Sequence, residues 1–471
     1  MTLQGRGEVE SMLGYRCFLL LSVVFLSACD GAPTTLDGDI LITGGRIIDP
    51  ESGVVGVERD ILIRSGKIHS LVEPGALVPT PGATIRDASN LYLLPGLIDV
   101  HAHIGDGGLR ANNDEDRQQA LHQFIRYGVT SIFVPGGGGG NDEQLGEWKR
   151  RCNQMQQVCP HIFGSGDIIT AYGSHPITTI WGLPPDTDPD IIHQRGATAL
   201  KESDAVEPIL ERKIESGVDA IKIVVEDGPG PFAPKPRLSR RQIENICNAA
   251  HDRGLRAFAH VSMAAHVDDV VEAGCDGIMH APDDKLSDRT LQMMADQGTY
   301  YVATLSLFDA LMDQEQNSRE QEPYAIAGVS ATALSSLEND AYWGDSAESP
   351  DMIAEWQEAL AYNLLEASKK GVPIALGTDT NNPQVFPGYA VHEELALMTE
   401  SGLTTAQALT SATTTAAAFL DKADSIGSIR PGYQADIVAL RRNPIDTIEN
   451  TRTIEFVLVG GKFVTAVVSV D

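Results

Sequence analysis

Two histidines separated by one residue lie at the end of a predicted strand. The stretch LLPGLIDVHAH, residues 93–103, leads from an apolar run through a Pro-Gly pair to His101 and His103. Side chains two residues apart in a strand point to the same side, so the two imidazoles would project together. Such a pair is also typical of a half-exposed polar stripe. It becomes a metal-site candidate only when further ligand types converge on it.

Four other predicted strands carry residues of a type that binds metals. These are Lys222 in AIKIVV, His260 in RAFAHV, His280 in GIMHAP and Asp379 in IALGTD. A buried ammonium is costly unless it is neutralised or coordinated, so Lys222 requires a chemical explanation. If these strands surround one cavity, all four residues and the histidine pair meet there.

The residue types suit hydrolysis by a pair of divalent metals. Neutral imidazoles and carboxylates are preferred ligands of zinc, with manganese, cobalt and iron as alternatives. A buried lysine with a lowered pKa can react with CO2, and the two oxygens of the carbamate on Lys222 could then bridge two cations. The metals would lower the pKa of a bound water to ~7, and a carboxylate at the metal would pass the proton of that water to the leaving amine.

The middle of the chain alternates short apolar runs with helical patterns. Strands are predicted at 97–104, 131–136, 161–169, 220–225, 256–261, 277–282, 300–305 and 374–379. Eight β/α units predict an α/β fold, a (β/α)8 TIM-like barrel over residues 97–420, with its active site at the C-terminal ends of the strands. The glycine-rich run 135–142 is predicted to be a flexible loop at that end, and residues 306–352 a lid.

Both ends of the chain are rich in short β-type runs broken by Gly, Asp and Pro. They cover residues 38–96 and 421–471. Neither end has enough apolar faces to fold alone. We therefore expect one small β-sandwich domain formed from both termini.

These motifs together resemble a known family. PGLIDVHAH, AIKI, FAHV, GIMHA, LGTD and GSIRPGYQADIVAL look like the amidohydrolase superfamily, closest to its prolidase/imidazolonepropionase-related branch, and the resemblance extends from about residue 38 onward. It implies a site for two metals. His101, His103 and Asp379 would bind the more buried metal, and His260 and His280 would bind the second. Carboxylated Lys222 would bridge the two metals, and Asp379 would also be the proton shuttle. The deaminases of the superfamily usually lack the bridging lysine, so Lys222 favours hydrolysis of an amide, peptide or ester.

The remaining histidines, Ser262 and Arg430 are assigned roles at the site or away from it. The turn YGSHP, residues 172–176, resembles a glycine-histidine turn of this branch, so His175 is either a substrate contact or a structural loop histidine. Ser262 stands where dipeptidases of this branch often carry an aromatic, which argues against recognition of a dipeptide carboxylate. His392 is interpreted as a structural or supporting residue. Surface or packing roles are assigned to His122, His161, His193, His251 and His266, and a structural role to Arg430.

The N-terminus has the pattern of a targeting segment. Residues 1–29 contain a short apolar core followed by small residues before Cys29. Leu26-Ser27-Ala28-Cys29 resembles a bacterial lipobox, in which Cys29 is acylated; an ordinary secretory signal is the alternative. Asp30 then predicts a lipid anchor at the periplasmic face of the inner membrane, in the bacterial cell envelope. Met12 competes with Met1 as the start.

Composition excludes some classes of protein. The formal net charge of −30 over 471 residues repels nucleic acid, and it indicates a solvated acidic surface rather than a cationic substrate. No interior apolar run is long enough to span a bilayer. In an oxidising envelope Cys152 and Cys159 could form a disulfide, and buried free thiols are the alternative.

The sequence thus predicts a lipid-anchored, metal-dependent amidohydrolase that acts on a small amide, dipeptide or N-acyl amino acid. A lactonase or other ester hydrolase is the alternative enzyme. A non-catalytic lipoprotein that binds a ligand is the alternative from another class, and the complete set of ligand residues argues against it. The substrate, the native metal and a homo-oligomeric state are left open.

Overall fold

The computed structural model describes residues 39–79, 82–104, 114–136, 141–153, 158–228, 234–312, 318–329, 334 and 350–464. The predicted signal peptide with Cys29 lies outside these residues, as do residues 137–140 of the glycine-rich run and most of residues 313–349 of the predicted lid. The signal peptide, the flexible loop and the lid therefore stay predictions.

The strands are numbered in chain order. They are β1 (Ile40–Asp49), β2 (Val54–Arg64), β3 (Lys67–Val72), β4 (Thr84–Asp87), β5 (Tyr92–Pro95), β6 (Leu97–Asp99), β7 (Val129–Val134), β8 (His161–Gly164), β9 (Ile168–Ala171), β10 (Ala197–Leu200), β11 (Ala220–Val225), β12 (Arg256–Val261), β13 (Gly277–Met279), β14 (Tyr300–Val302), β15 (Ile437–Leu440), β16 (Ile454–Val459) and β17 (Lys462–Val464).

The helices lie mainly between the strands of the middle section. They are α1 (Asp114–Arg126), α2 (Asp142–Asn153), α3 (Pro189–Gln194), α4 (Glu207–Glu215), α5 (Arg240–His251), α6 (Ala264–Glu272), α7 (Asp288–Gln297), α8 (Leu305–Met312), α9 (Pro350–Lys370), α10 (Tyr389–Glu400), α11 (Thr405–Ser411) and α12 (Thr414–Phe419), with short 3-10 helices at Ser318–Gln321 and Ile448–Arg452. Among the residues that the structure describes, no helix is long and apolar enough to cross a membrane.

Helix α5 begins, and helix α9 ends, where local chemistry favours it. Ser239 caps α5 by accepting from the Gln242 backbone N–H, and the Gln242 side chain accepts from the Ser239 N–H in return. Helix α9 ends at Lys370, and Gly371 follows with φ of 79°, a left-handed conformation that suits glycine. Both helices lie between predicted strands, where the sequence analysis expected helical patterns.

The two ends of the chain share one eight-stranded sheet. Its order is β17-β16-β15-β5-β1-β2-β3, with β4 beside the first half of β1. The ends join where β5 and β15 run antiparallel, with Leu94 opposite Val438. Ile42 and Leu93 from one end bury against Phe456 from the other. The two ends of the chain therefore share one sheet. A β-sandwich domain formed from both termini stays a prediction.

The middle of the chain forms two parallel sheets. One has the order β10-β9-β11-β12-β13-β14, and the other has the order β6-β7-β8. After β14, residues 374–380 bridge both sheets, since Ile374 pairs with Tyr301 and Thr380 pairs with Ala102. Backbone pairing thus runs from β6 to β8 in one sheet and from β10 to β14 in the other. Residues 374–380 then connect β14 to the residues that follow β6.

Several predicted strands differ from the observed ones. The first, sixth and seventh end earlier than predicted, at Asp99, Met279 and Val302. The third, residues 161–169, is divided into β8 and β9 at Gly166, whose φ is 62° and whose hypothetical Cβ would collide with Asp142. The eighth, residues 374–379, makes single bridges rather than a continuous ladder. The extra strand β10 pairs in parallel with β9 and was not predicted.

Aromatic side chains fill the space below the candidate site. Phe258 stacks on Phe419 with ring centroids 4.0 Å apart, and Phe133 packs edge-on against both rings. Fully burying a phenylalanine stabilises a fold by about 1.5–3 kcal/mol. Phe258 precedes His260 by two residues on β12, so one strand contributes both to this apolar floor and to the polar group above it.

All four cysteines of the described chain form disulfides. Cys152 pairs with Cys159, which is one of the two alternatives derived from the sequence. Cys247 of α5 pairs with Cys275, just before β13, a pairing that spacing did not indicate. The second disulfide links two consecutive β/α units on the outside of the parallel sheet.

Candidate active site

The histidine pair after β6 contacts the predicted carboxylate. Asp379 Oδ1 lies 2.9 Å from His103 Nε2 and 3.4 Å from His101 Nε2. His280 completes this group, because its Nδ1 is 4.0 Å from Asp379 Oδ2 and its ring centroid is 4.7 Å from that of His101. The sequence placed these residues on three distant segments, and the fold brings them together.

A second group lies beside the first. His260 Nε2 is 2.6 Å from Glu226 Oε2, and His175 Nδ1 is 3.2 Å from Glu226 Oε1. The ring of His280 lies between the groups, since its centroid is 4.5 Å from that of His260. This differs from the distribution implied by the resemblance, in which His260 and His280 share one metal without His175 or Glu226.

Lys222 lies between these groups and the apolar floor. It is buried, and its Nζ contacts Met279 Sδ at 2.8 Å. Burial lowers the pKa of Lys222 to about 7, although the Asp379 carboxylate acts in the opposite direction. A substantial part of the lysine population is therefore a neutral amine at neutral pH, which is the form that can react with CO2.

The backbone is strained at two of the site residues. His280 has φ of 78° and Asp379 has φ of 57°, both in the left-handed region that non-glycine residues seldom adopt. Such conformations cost of order 1–3 kcal/mol each and persist only where the surroundings enforce them. Here they turn both side chains toward the same group of imidazoles.

Buried hydrogen bonds hold the strand ends that carry the site. Asp99 accepts from the backbone N–H groups of His101 at 3.0 Å and Thr378 at 3.1 Å, and from the Thr378 hydroxyl at 2.6 Å. Burial raises the pKa of Asp99 to about 7, against the effect of these hydrogen bonds. The carboxyl group ties the histidine pair to the segment that bears Asp379.

His280 is held from the side of β14. Its Nδ1 lies 3.0 Å from the Thr304 hydroxyl, and the next two residues, Leu305 and Ser306, donate their backbone N–H groups to Glu394. Burial raises the pKa of Glu394 to about 8 despite these bonds. Helix α10 thus fixes the start of α8 and, through Thr304, the ring of His280.

The donor set fits a divalent metal. Burial holds the pKa of His101 and of His280 well below the ordinary value, so both rings are neutral and offer a lone pair. His101 Nδ1 and His103 Nδ1 are buried without a hydrogen-bond partner among the described residues. Two groups have ligand atoms within 4.8 Å of one another, namely His101, His280 and Asp379, and His175, Glu226 and His260.

Other sequence-selected residues lie apart from these groups. His392 is buried between Thr451 Oγ1 and the Tyr127 carbonyl, each 2.9 Å away, which supports its structural interpretation. The Ser262 hydroxyl lies 3.4 Å from His266 Nδ1. His161 contacts Asp436 of the terminal sheet at 3.1 Å.

Glu226 is the site residue that the sequence analysis missed. It comes directly after β11 and precedes DGPGP, which has the composition of a loop. The alternation of side chains along a strand could have identified it. Glu226 lies four residues beyond Lys222 and therefore on the same side of the strand.

The chain is similar to several known proteins. Ochratoxinase from Aspergillus niger is 26% identical over 436 residues, covering 85% of this chain and 82% of that protein. Dihydroorotase from Desulforapulum autotrophicum is 39% identical over 93 residues, 20% of this chain and 21% of that protein. The crystal structure of a Xaa-Pro dipeptidase with bound methionine has a TM-score of 0.71 at 24% identity, covering 90% of this chain and 99% of that one.

The fold and the grouped imidazoles and carboxylates, together with these likenesses, define a hydrolase with an α/β fold. A model of the amidohydrolase family matches residues 92–464. The chain belongs to the amidohydrolase family.

Proposed function

We propose that this chain is a metal-dependent hydrolase of a carbon–nitrogen bond in a small amide, dipeptide or N-acyl amino acid. The observation that carries the proposal is the convergence of His101, His103, His280 and Asp379 around buried Lys222. Membership of the amidohydrolase family and the similarity to ochratoxinase support it. The parallel strands and their bridges support a (β/α)8 barrel as the scaffold.

The residues of the chain have distinct tasks in this reaction. The neutral imidazoles would hold two divalent cations, zinc first, together with a carbamate formed on Lys222. Such cations, when bound, supply Lewis acidity at the scissile carbonyl and lower the pKa of water. Asp379 is placed to accept a proton from the attacking water and return it to the leaving nitrogen, because its carboxylate faces the same cavity as His101 and His103.

Lys222 provides a direct test of the carbamate. We expect the chain, produced with zinc and 13C-bicarbonate, to show a 13C carbamate signal that is absent from Lys222→Met. Met retains the length of the side chain without its nucleophilic nitrogen. A signal of equal intensity in the variant would place the carbamate elsewhere.

Activity is tested with the chain loaded with zinc or manganese in the presence of bicarbonate. Dipeptides, N-acyl amino acids and lactones are supplied in parallel, with metal-stripped protein as the control. Metal-dependent release of an amine is the expected result. Turnover of lactones alone, or binding without turnover, would contradict the proposal.

A further inference from the structure

Glu226 lies on the same side of its strand as the buried lysine. Ala220, Lys222 and Val224 alternate along β11, and Glu226 is the next residue in that alternation. Its side chain is 1% exposed, which is rare for a glutamate without partners. In the β11–β12 ladder Val224 lies opposite His260, so the residue two positions later is within reach of that imidazole.

The carboxylate contacts two imidazoles, one with each oxygen. Oε2 lies 2.6 Å from His260 Nε2, and Oε1 lies 3.2 Å from His175 Nδ1. The two rings stack on each other with centroids 4.9 Å apart and planes inclined by 22°. Glu226 therefore holds the His260 ring through a hydrogen bond and lies against the His175 ring, whose Nδ1 is 2.7 Å from Thr179 Oγ1.

The contact with His260 has the length of a hydrogen bond. The 2.6 Å between Glu226 Oε2 and His260 Nε2 is typical of a hydrogen bond to a charged group. A proton fits between these atoms.

The charge of Glu226 decides which partner holds that proton. A glutamate is ordinarily ionised at neutral pH, and Oε2 of Glu226 lies at hydrogen-bond distance from His260 Nε2. An ionised carboxylate only accepts hydrogen bonds, so His260 Nε2 must be the protonated nitrogen. A neutral ring protonated at Nε2 carries its lone pair on Nδ1.

We propose that Glu226 is a positioning residue that keeps His260 as the Nε2–H tautomer and leaves Nδ1 open to bind a divalent cation. This inference rests on the proposed function of the site as a metal centre. Carboxylates that accept from a metal-binding histidine fix both its tautomer and its ring orientation, and their loss costs metal affinity. The contact with His175 holds a second ring in place beside the first.

Zinc titration and histidine NMR of the full chain test this role. We expect Glu226→Ala to raise the Kd of the more weakly held zinc ion by ~10–100-fold. Glu226→Gln should stay close to wild type, because its amide oxygen still accepts from Nε2–H. In zinc-free protein, 15N spectra of His260 should show protonated Nε2 in wild type and a mixture of tautomers in Glu226→Ala.

Asp227→Asn is the matched control, since Asp227 is the adjacent carboxylate, is more exposed and contacts His266 rather than His260. Its zinc affinity should not change. Circular dichroism melts show whether each variant is folded. If Glu226→Ala does not fold, the zinc titration and NMR are carried out on the isosteric Glu226→Gln.

Three results would overturn the inference. They are unchanged zinc affinity in Glu226→Ala, a protonated Nδ1 on His260 in wild type, and equal loss in the Ala and Gln variants, which would show that the carboxylate itself binds the ion. If the wild-type chain carries its proton on His260 Nε2 but does not bind zinc tightly, the proposed function is wrong. The tautomer assignment would then still be correct.

Discussion

Thr378 donates its hydroxyl to Asp99 Oδ2 at 2.6 Å, across 279 residues of sequence. The same pair is joined by the Thr378 backbone N–H at 3.1 Å from Oδ1. Asp99 ends the first strand of the parallel sheets, and Thr378 precedes Asp379. This buried contact therefore sets the position of the carboxylate relative to the histidine pair.

We predict that Thr378→Val weakens both the fold and the metal site. The variant has nearly the same shape but leaves Asp99 without its hydroxyl donor, which costs about 1–3 kcal/mol for a buried group. Denaturant unfolding and zinc content after dialysis would measure the two effects. Thr399→Val is the control, because the Thr399 hydroxyl bonds only to a carbonyl of its own helix, α10. Equal stability of the two variants would contradict the prediction.

Gly377 is required by close packing against the histidine pair. A Cβ at this position would lie 2.7 Å from His101 Cβ and 2.6 Å from Val302 Cγ1, closer than real Cβ contacts. We expect Gly377→Ala to displace His101, to lower the melting temperature and to reduce zinc retention. Gly146→Ala is the control, since the nearest atom to its Cβ is 3.4 Å away and alanine favours helix α2. Full zinc retention in Gly377→Ala would show that the contact relaxes without cost.

The ligand types were predictable because each lies within an apolar run or at its end. The run AIKIVV corresponds residue for residue to β11, and RAFAHV corresponds to β12. Lys222 and His260 could thus be placed in strands from local pattern alone. Parallel strands bring their C-terminal ends together, so the convergence with His280 and Asp379 followed from topology.

The supporting residues were not predictable from the same signals. Asp99 and Thr378 pair across almost the whole chain, and nothing in their local spacing encodes that contact. Glu226 follows directly after the predicted strand 220–225 and was not selected, although strand alternation places it on the same side as Lys222. The Cys247–Cys275 disulfide depends on how two helical units pack, and connectivity cannot be deduced from spacing.

Asp379→Asn should separate metal binding from turnover. The asparagine keeps an oxygen near His103, where the native carboxylate lies 2.9 Å away, so most of the metal should be retained. It cannot accept the proton of the attacking water, because an amide is a far weaker base than a carboxylate. We expect kcat to fall by at least 10²–10⁴-fold, the usual contribution of a general base. Metal analysis beside steady-state kinetics would check this, and retained activity would remove Asp379 from the proton transfer.

The contact between the terminal sheet and the parallel sheets should depend on pH. His161 Nε2 of β8 lies 3.1 Å from Asp436 Oδ2, and Asp436 also accepts from the Gly460 backbone N–H. Burial lowers the pKa of His161, but attraction by Asp436 and the hydrogen bond that Asp436 accepts from His161 outweigh burial, so the pKa is raised in the folded chain. The contact is an ion pair only while His161 is protonated.

The sign of the effect follows from that raised pKa. The stabilisation is fully present below the unfolded value of about 6.5 and is lost as the pH rises through the folded pKa of His161. We expect His161→Gln to lower the free energy of unfolding by about 1.5–3 kcal/mol at pH 5.5 and by less at pH 8.5. Urea unfolding at the two pH values would measure it. His69→Gln, at an exposed histidine of β3, is the control and should show no such pH dependence; an equal effect of His161→Gln at both pH values would show that the ring acts only by packing.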